Sequence, residues 1–308
     1  MKFKMLDDVG SMFFQRELEL VKTSSYDTLY ADLIARNLFP VSNEGGLAIQ
    51  TITYRSYDKV GAAKLINGYA KDLPRADVGG KEITIPVKEI GNSYGYTIRE
   101  IAASQMTGRS LDTARAGAAR RAHEEIINDV AFNGRADAGM PGFLSNPNIP
   151  TITVVNGAGG TPQFNTKTPD EILFDINDLF ADVFQNTKMK ERADTLLLPP
   201  NQWSYISSTP RSGNSDKTIL KWIIENSPFL TSEDSVIPVN ELVGAGTAGV
   251  DIMVAYTRRP DKLQLEIPYE FTSLAPQESG LEIEIPCHST LGGVNVYYPM
   301  SAAIAEDI

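Results

Sequence analysis

The 308-residue chain holds one cysteine, Cys287, two histidines, His123 and His288, and two tryptophans, Trp203 and Trp222. A single thiol excludes an intrachain disulfide, so the fold rests on packing. With so few soft ligands, a zinc site would depend mostly on carboxylates, an uncommon ligand set. No apolar run approaches the ~20 residues of a membrane span. Met1-Lys2-Phe3-Lys4 leads into Leu6-Asp7-Asp8, not into an apolar signal core. The expectation is a protein made and kept in the cytoplasm, away from membranes. Basic residues are also scarce: 28 Lys and Arg against 39 Asp and Glu give a net charge of −11. Gripping phosphates needs clustered cations, so nucleic-acid binding is not the main task. Enclosing DNA without holding it is compatible with that charge.

What is present suits a large folded domain, or two modest ones. Hydrophobic residues make up 42% and charged residues 22%, enough for a sizeable core. Residues 1–46 read as an N-terminal arm with a short helix near Tyr26–Asn37, ending at the turn signal Asn43-Glu44-Gly45-Gly46. Residues 47–99 read as an extended β-hairpin. Ile49, Ile52 and Tyr54 alternate with Thr51, Thr53 and Arg55 on one limb, and Ile83, Ile85 and Val87 recur on the other. A long two-stranded hairpin is barely stable alone, so its apolar face is expected to lie on a neighbouring subunit. Its charge supports that expectation: eight basic and five acidic residues in 50–99 give +3, against (28 − 8) − (39 − 5) = −14 elsewhere. Ile52, Lys64, Lys71, Arg75, Ile83, Ile85 and Val87 are the expected intersubunit contacts, the apolar ones giving most of the affinity. The plainer reading is a solvated hairpin without a partner.

The spacing predicts a long helix over 110–133. Ser110 is its N-cap, Asn133-Gly134 its stop, and Leu111, Ala114, Ala118, Ala122, Ile126 and Val130 its shared face. Thr168-Pro169-Asp170-Glu171 opens a second helix with a capping box. Thr195–Leu198 reads as a buried strand closed by Pro199-Pro200, 201–206 as a helical turn, and 215–225 as a third helix. Further strands are expected at 236–256 around a glycine loop, and at 263–267, 281–285 and 294–298. Ala302–Ala305 is an apolar close.

No reaction site stands out. Gly244-Ala245-Gly246-Thr247-Ala248-Gly249 satisfies the dinucleotide-binding glycine pattern, but Val250, Ile252 and Val254 follow it at strand spacing where that site needs a helix. The expected structure is a hairpin loop. Cys287 and His288 are strand neighbours pointing to opposite faces, so they make no dyad. Cys287 is expected in the core, and His123 either solvated or packed on its helix. Asp170-Glu171 and Glu124-Glu125 have plainer roles at a helix start and on a charged face. No catalytic residue, cofactor or metal is expected.

The order of the parts resembles the major capsid proteins of tailed bacteriophages, a fold shared with encapsulins. An arm, a long hairpin and a long helix ending in Ala131-Phe132-Asn133-Gly134 are followed by Gly139-Met140-Pro141-Gly142-Phe143-Leu144-Ser145-Asn146. Leu196-Leu197-Leu198-Pro199-Pro200-Asn201-Gln202-Trp203 is similar to that family's strand and turn before its axial domain. The resemblance implies an α+β subunit. Its peripheral domain would comprise 100–194 and 263–308 with the spine helix 110–133, and its axial domain 195–262. It implies hexamers and pentamers in an icosahedral virion shell around double-stranded DNA, built in the host bacterial cytoplasm. A portal and decoration proteins would be further partners. The hairpin begins within about fifty residues of Met1, so scaffolding is expected from a separate protein. An encapsulin-type compartment is the second reading, and a dinucleotide-dependent enzyme using 244–249 the third.

Overall fold

Short apolar motifs seed each element along the chain, which the computed structural model describes at residues 32–65, 75–107, 114–213 and 215–308. A four-residue helix, α1 (Ala35–Leu38), and a short strand, β1 (Val41–Ser42), precede two long strands, β2 (Thr51–Val60) and β3 (Asp77–Pro86). Strand β4 (Lys88–Thr97) runs into helix α2 (Ile98–Thr107), and the long helix α3 (Ala114–Asn133) follows. Next come β5 (Thr151–Thr153), α4 (Pro169–Asn186), β6 (Thr195–Leu198), α5 (Pro200–Ser208), α6 (Ile219–Asn226) and β7 (Val236–Pro238). The remaining named strands are β8 (Ile252–Tyr256), β9 (Leu263–Glu266), β10 (Tyr269–Ser273), β11 (Gln277–Ser279), β12 (Glu282–Leu291), β13 (Gly293–Val296) and β14 (Ala302–Glu306). Helices and sheets are mixed, as the α+β expectation requires.

The centre is a five-stranded sheet in the order β5-β14-β8-β6-β7. Its inner strands are buried on both faces, which is why Thr195–Leu198, Ile252–Tyr256 and Ala302–Ala305 read as apolar runs without alternation. Leu197, Val254, Tyr256 and Ile304 face one core, shared with α1, α3 and β9. Leu196, Leu198, Met253, Ala255, Ala303 and Ala305 face a second core, shared with α4 and α6. The expected domain boundaries therefore do not follow the packing. Helix α4 and strand β14, assigned from the sequence to a peripheral domain, share a core with 195–256.

Helix α4 starts as its sequence dictates. The Thr168 side chain accepts from the Glu171 amide, and Glu171 Oε2 accepts from the Thr168 amide at 2.7 Å. Pro169 fills the first turn, where its missing N–H costs nothing. Thr168→Ala is expected to cost ~1 kcal/mol, read as a lower urea midpoint. An unchanged midpoint would show that the box contributes nothing.

Helix α3 ends through the glycines of its motif. Gly134 caps it at φ 71°, and the chain doubles back so that Phe143 N donates to Ala131 O at 2.8 Å and Leu144 N to Phe132 O at 2.9 Å. Gly142 lies so close that a Cβ there would sit 2.2 Å from Gly134 N. Phe143 then joins an aromatic cluster with Phe39, Phe132 and Tyr256, whose rings meet tilted or edge-on at centroid separations of 5.1–6.2 Å.

Three sequence expectations need correction here. Residues 35–42 are not a free arm: Leu38 and Phe39 are buried, Tyr256 Oη donates to Leu38 O at 2.8 Å, and β1 pairs in parallel with β9. Of the helix expected near 26–37, residues 26–31 lie outside the described residues. The hairpin ends at Pro86, because β4 leaves it to pair with β12 over ten residues. The buried face of α3 is turned by one residue. Ala119, His123, Ile127, Val130 and Ala131 are buried, whereas Ala114, Ala118 and Ile126 are exposed. Polar partners set that phase, since His123 bonds Ser289 at 2.8 Å and Asn92 at 3.0 Å, joining α3 to β12 and β4. Ser110 and Leu111 lie outside the described residues.

Candidate assembly surfaces

Strands β2 and β3 form a sheet of their own, in register from Thr51↔Pro86 to Val60↔Asp77. Its root is held by its own subunit. Ile85 and Val87 are buried, Ile52 and Ile83 are half-buried, and the Tyr54 ring meets Tyr297 edge-on at 5.0 Å. Burial within the chain means that Ile85 and Val87 cannot supply the intersubunit affinity expected of them. The outer half differs. Residues 55–60 and 77–82 are exposed on both faces. Its solvated apolar groups are Tyr57 at 63%, Val60 at 64% and Val78 at 56% exposure, with Leu65 beyond the strand end fully exposed. An Arg55–Glu82 pair at 2.8 Å and a Thr53–Thr84 hydroxyl contact at 2.8 Å tie the limbs together. Lys64 and Arg75 are exposed near the tip, and Lys71 lies outside the described residues.

A second surface is the sheet that carries β12 between β4 and β10, with β11 pairing its first residues. At its outer end Leu281 is 80% and Ile98 51% exposed, and Ile98 N donates to Leu281 O at 3.1 Å. The sheet is fastened to α3 by His123, whose pKa burial lowers below its ordinary 6.5, with Glu124 opposing and His288 adding to the shift. A histidine that resists protonation when folded takes up fewer protons than the unfolded chain. Its contribution to stability is thus held above about pH 6.5 and lost as pH falls below it. The urea midpoint of the native chain should drop more between pH 7.5 and 5.5 than that of His123→Gln. A constant gap between the two would contradict this role.

The chemistry-bearing candidates have structural placements. Glycines 244–249 do not form a hairpin loop, because β6 lies between β7 and β8. Nor do they open a helix of the kind a dinucleotide site needs. The loop closes on itself through Gly246 N to Val250 O at 2.9 Å and runs into β8. Cys287 is buried and His288 half-buried, on opposite faces of β12. Glu171 serves the capping box, Asp170 pairs with Arg211 at 2.9 Å, Glu124 with Arg36 at 2.7 Å and Glu125 with Arg121 at 2.9 Å. Among the described residues no cluster of three or more His, Cys, Asp or Glu is placed to hold a metal ion, and no helix is long and apolar enough to cross a membrane.

The fold recurs in known structures. The chain superposes on the capsid of Myoviridae phage XM1 with a TM-score of 0.80 at 17% identity, covering 97% of this chain and 100% of that one. Mycobacterium phage Ogopogo gives 0.61 at 12% identity over 94% and 96%. A virus-like particle from Pyrococcus furiosus gives 0.52 at 14% over 88% and 91%. At such identities the likeness establishes the fold. No curated protein sequence matches significantly. The model of the family described as "Major capsid protein" does match, over residues 61–308, so this chain belongs to the major capsid protein family.

Proposed function

We propose that the chain builds the wall of an icosahedral virion shell as hexamers and pentamers enclosing double-stranded DNA, assembled in the host bacterial cytoplasm. The observation that carries this reading is the outer half of the hairpin, whose strand residues 55–60 and 77–82 are exposed on both faces. A two-stranded ribbon with that much solvated apolar surface needs a partner, and in a shell an adjacent copy supplies it. Tyr57, Val60, Val78 and Leu65 replace Ile85 and Val87 as the apolar contacts, with Ile52 and Ile83 at the edge. Lys64, Lys71 and Arg75 set the register against an acidic neighbour. Each exposed ion pair contributes ~0–1 kcal/mol, but a closed shell repeats it in every subunit. A scaffolding protein, a portal and decoration proteins are the further partners this reading implies. The wall has no catalytic role and needs no cofactor.

The phage reading is favoured over a cargo compartment by the closer fit to the phage XM1 capsid than to the archaeal virus-like particle. Size-exclusion chromatography with light scattering over a range of concentrations tests the proposal. Capsomers or shells are expected, and a monodisperse monomer at every concentration would overturn it.

A further inference from the structure

One face of this acidic subunit is basic, and the hairpin has no part in it. After α4 the chain turns through Lys188 and Met189, consecutive residues at φ 52° and 66°. Left-handed backbone costs a residue with a side chain ~1–2 kcal/mol, and here it brings out Lys188, Met189 and Lys190, all exposed. The turn after β8 packs beside it. Glu191 pairs with Arg259 at 3.1 Å and with Lys262 at 2.6 Å, and Asp194 accepts from the Arg258 amide at 2.9 Å. The two segments, 188–194 and 257–262, carry six basic and three acidic residues, 6 − 3 = +3, against (28 − 6) − (39 − 3) = −14 elsewhere.

How the acids are used matters more than the count. Glu191 is taken by Arg259 and Lys262, Asp261 by the same two cations, and Asp194 by the Arg258 amide and the Thr195 hydroxyl. All three carboxylates are engaged within the patch: Glu191 and Asp194 join the two segments, and Asp261 pairs within its own turn. Lys188, Lys190, Arg192 and Arg258 make no ion pair among the described residues, and all four are exposed. Arg192 lies over the Phe184 ring at 5.3 Å, and the Arg258 guanidinium meets Asn37 O. Both contacts leave guanidinium donors open.

We propose that this face is turned toward the enclosed nucleic acid and makes weak, sequence-independent contacts with the phosphates of double-stranded DNA. This rests on the reading of the chain as a wall around DNA. Long, exposed cations without fixed partners suit a ligand whose charges are closely spaced and whose register varies. Duplex DNA carries about one charge per 1.7 Å of axis. A wall of otherwise acidic subunits would repel it, and a repeated patch of +3 offsets that locally without gripping it.

Two measurements test the proposal. The first compares acetylation of lysines in DNA-filled particles, DNA-free particles and free capsomers. Lys188 and Lys190 should be spared only in filled particles, while exposed Lys217 and Lys221 react alike in filled and DNA-free ones. Equal reaction in filled and DNA-free particles overturns the proposal. Sparing in both kinds of particle overturns it too, and assigns the patch to an acidic face of a neighbouring copy. The second titrates capsomers with a short fluorescein-labelled DNA duplex at rising salt. The K188E/K190E/R192E variant should bind at least tenfold more weakly at low salt, with a salt slope smaller by about 2–3, since each phosphate contact contributes ~0.9. Unchanged affinity and slope would exclude the patch. Absence of particles would instead overturn the capsid reading, and the duplex titration, which needs no shell, would still decide the patch.

Discussion

Replacing residues 56–81 with an Asn-Gly turn should leave a folded subunit that no longer closes into shells. The cut falls at Ser56↔Lys81, where the ladder leaves the body, and the described residues that it removes, 56–65 and 75–81, are exposed. The root keeps Ile52, Tyr54, Ile83 and Ile85, and Asn-Gly supplies the tight turn that matches strand twist. The fold should survive because, among the described residues, none of the deleted side chains belongs to either core. Assembly should not, because the deleted half holds the apolar groups assigned to the neighbour. Circular dichroism and urea unfolding would report the fold, and electron microscopy the particles. Normal shells from the truncated chain would remove the hairpin from the account of assembly. Reversing Lys64, Lys71 and Arg75 to Glu is a milder version, expected to impair closure while leaving the fold intact.

The largest single-residue effect on stability is expected at a buried ion pair. Lys167 Nζ lies 2.5 Å from Asp175 Oδ2, with side-chain exposures of 1% and 6%. Burial raises the pKa of Asp175, and the hydrogen bond from Lys167 opposes it. The pair clips the segment before α4 to the inner side of that helix. Lys167→Met should cost ~3–5 kcal/mol, because it leaves a buried carboxylate without its counter-charge. The double variant Lys167→Met/Asp175→Leu should recover most of that loss, since the two desolvation costs disappear together. Urea denaturation of the three proteins measures it. A single variant that loses under ~1 kcal/mol, or a double variant no better than the single, would contradict the argument.

Parts of the structure announced themselves through local chemistry. The capping box at Thr168 and Glu171, the glycine stop at Gly134 and the run Thr195–Leu198 each carry their cause in a few consecutive residues. Helix α2 carried one as well, a Thr97-x-x-Glu100 box in which Glu100 Oε2 accepts from the Thr97 amide at 2.9 Å. It straddles the expected end of the hairpin at residue 99, where no helix is expected from the sequence. The phase of α3 was harder to read, because periodicity counts apolar residues and this helix buries His123 and Asn128. Asn128 accepts from the Ala35 amide at 3.1 Å, across 93 residues of sequence. The glycine loop was misplaced for a related reason. Which strands pair depends on β6, some forty residues earlier. The apolar hairpin contacts Ile52, Ile83, Ile85 and Val87 follow from alternation, and alternation does not tell a face buried at the root from one left open further out.

The central claim is that the outer hairpin finds its partner on an adjacent copy of the chain in a closed shell. Cryo-electron microscopy of the purified full-length protein tests it most directly. Closed particles are expected, with Tyr57, Val60, Leu65 and Val78 lying against a neighbouring subunit. Particles with that half of the hairpin standing in solvent, or no particles under any assembly condition, would contradict it.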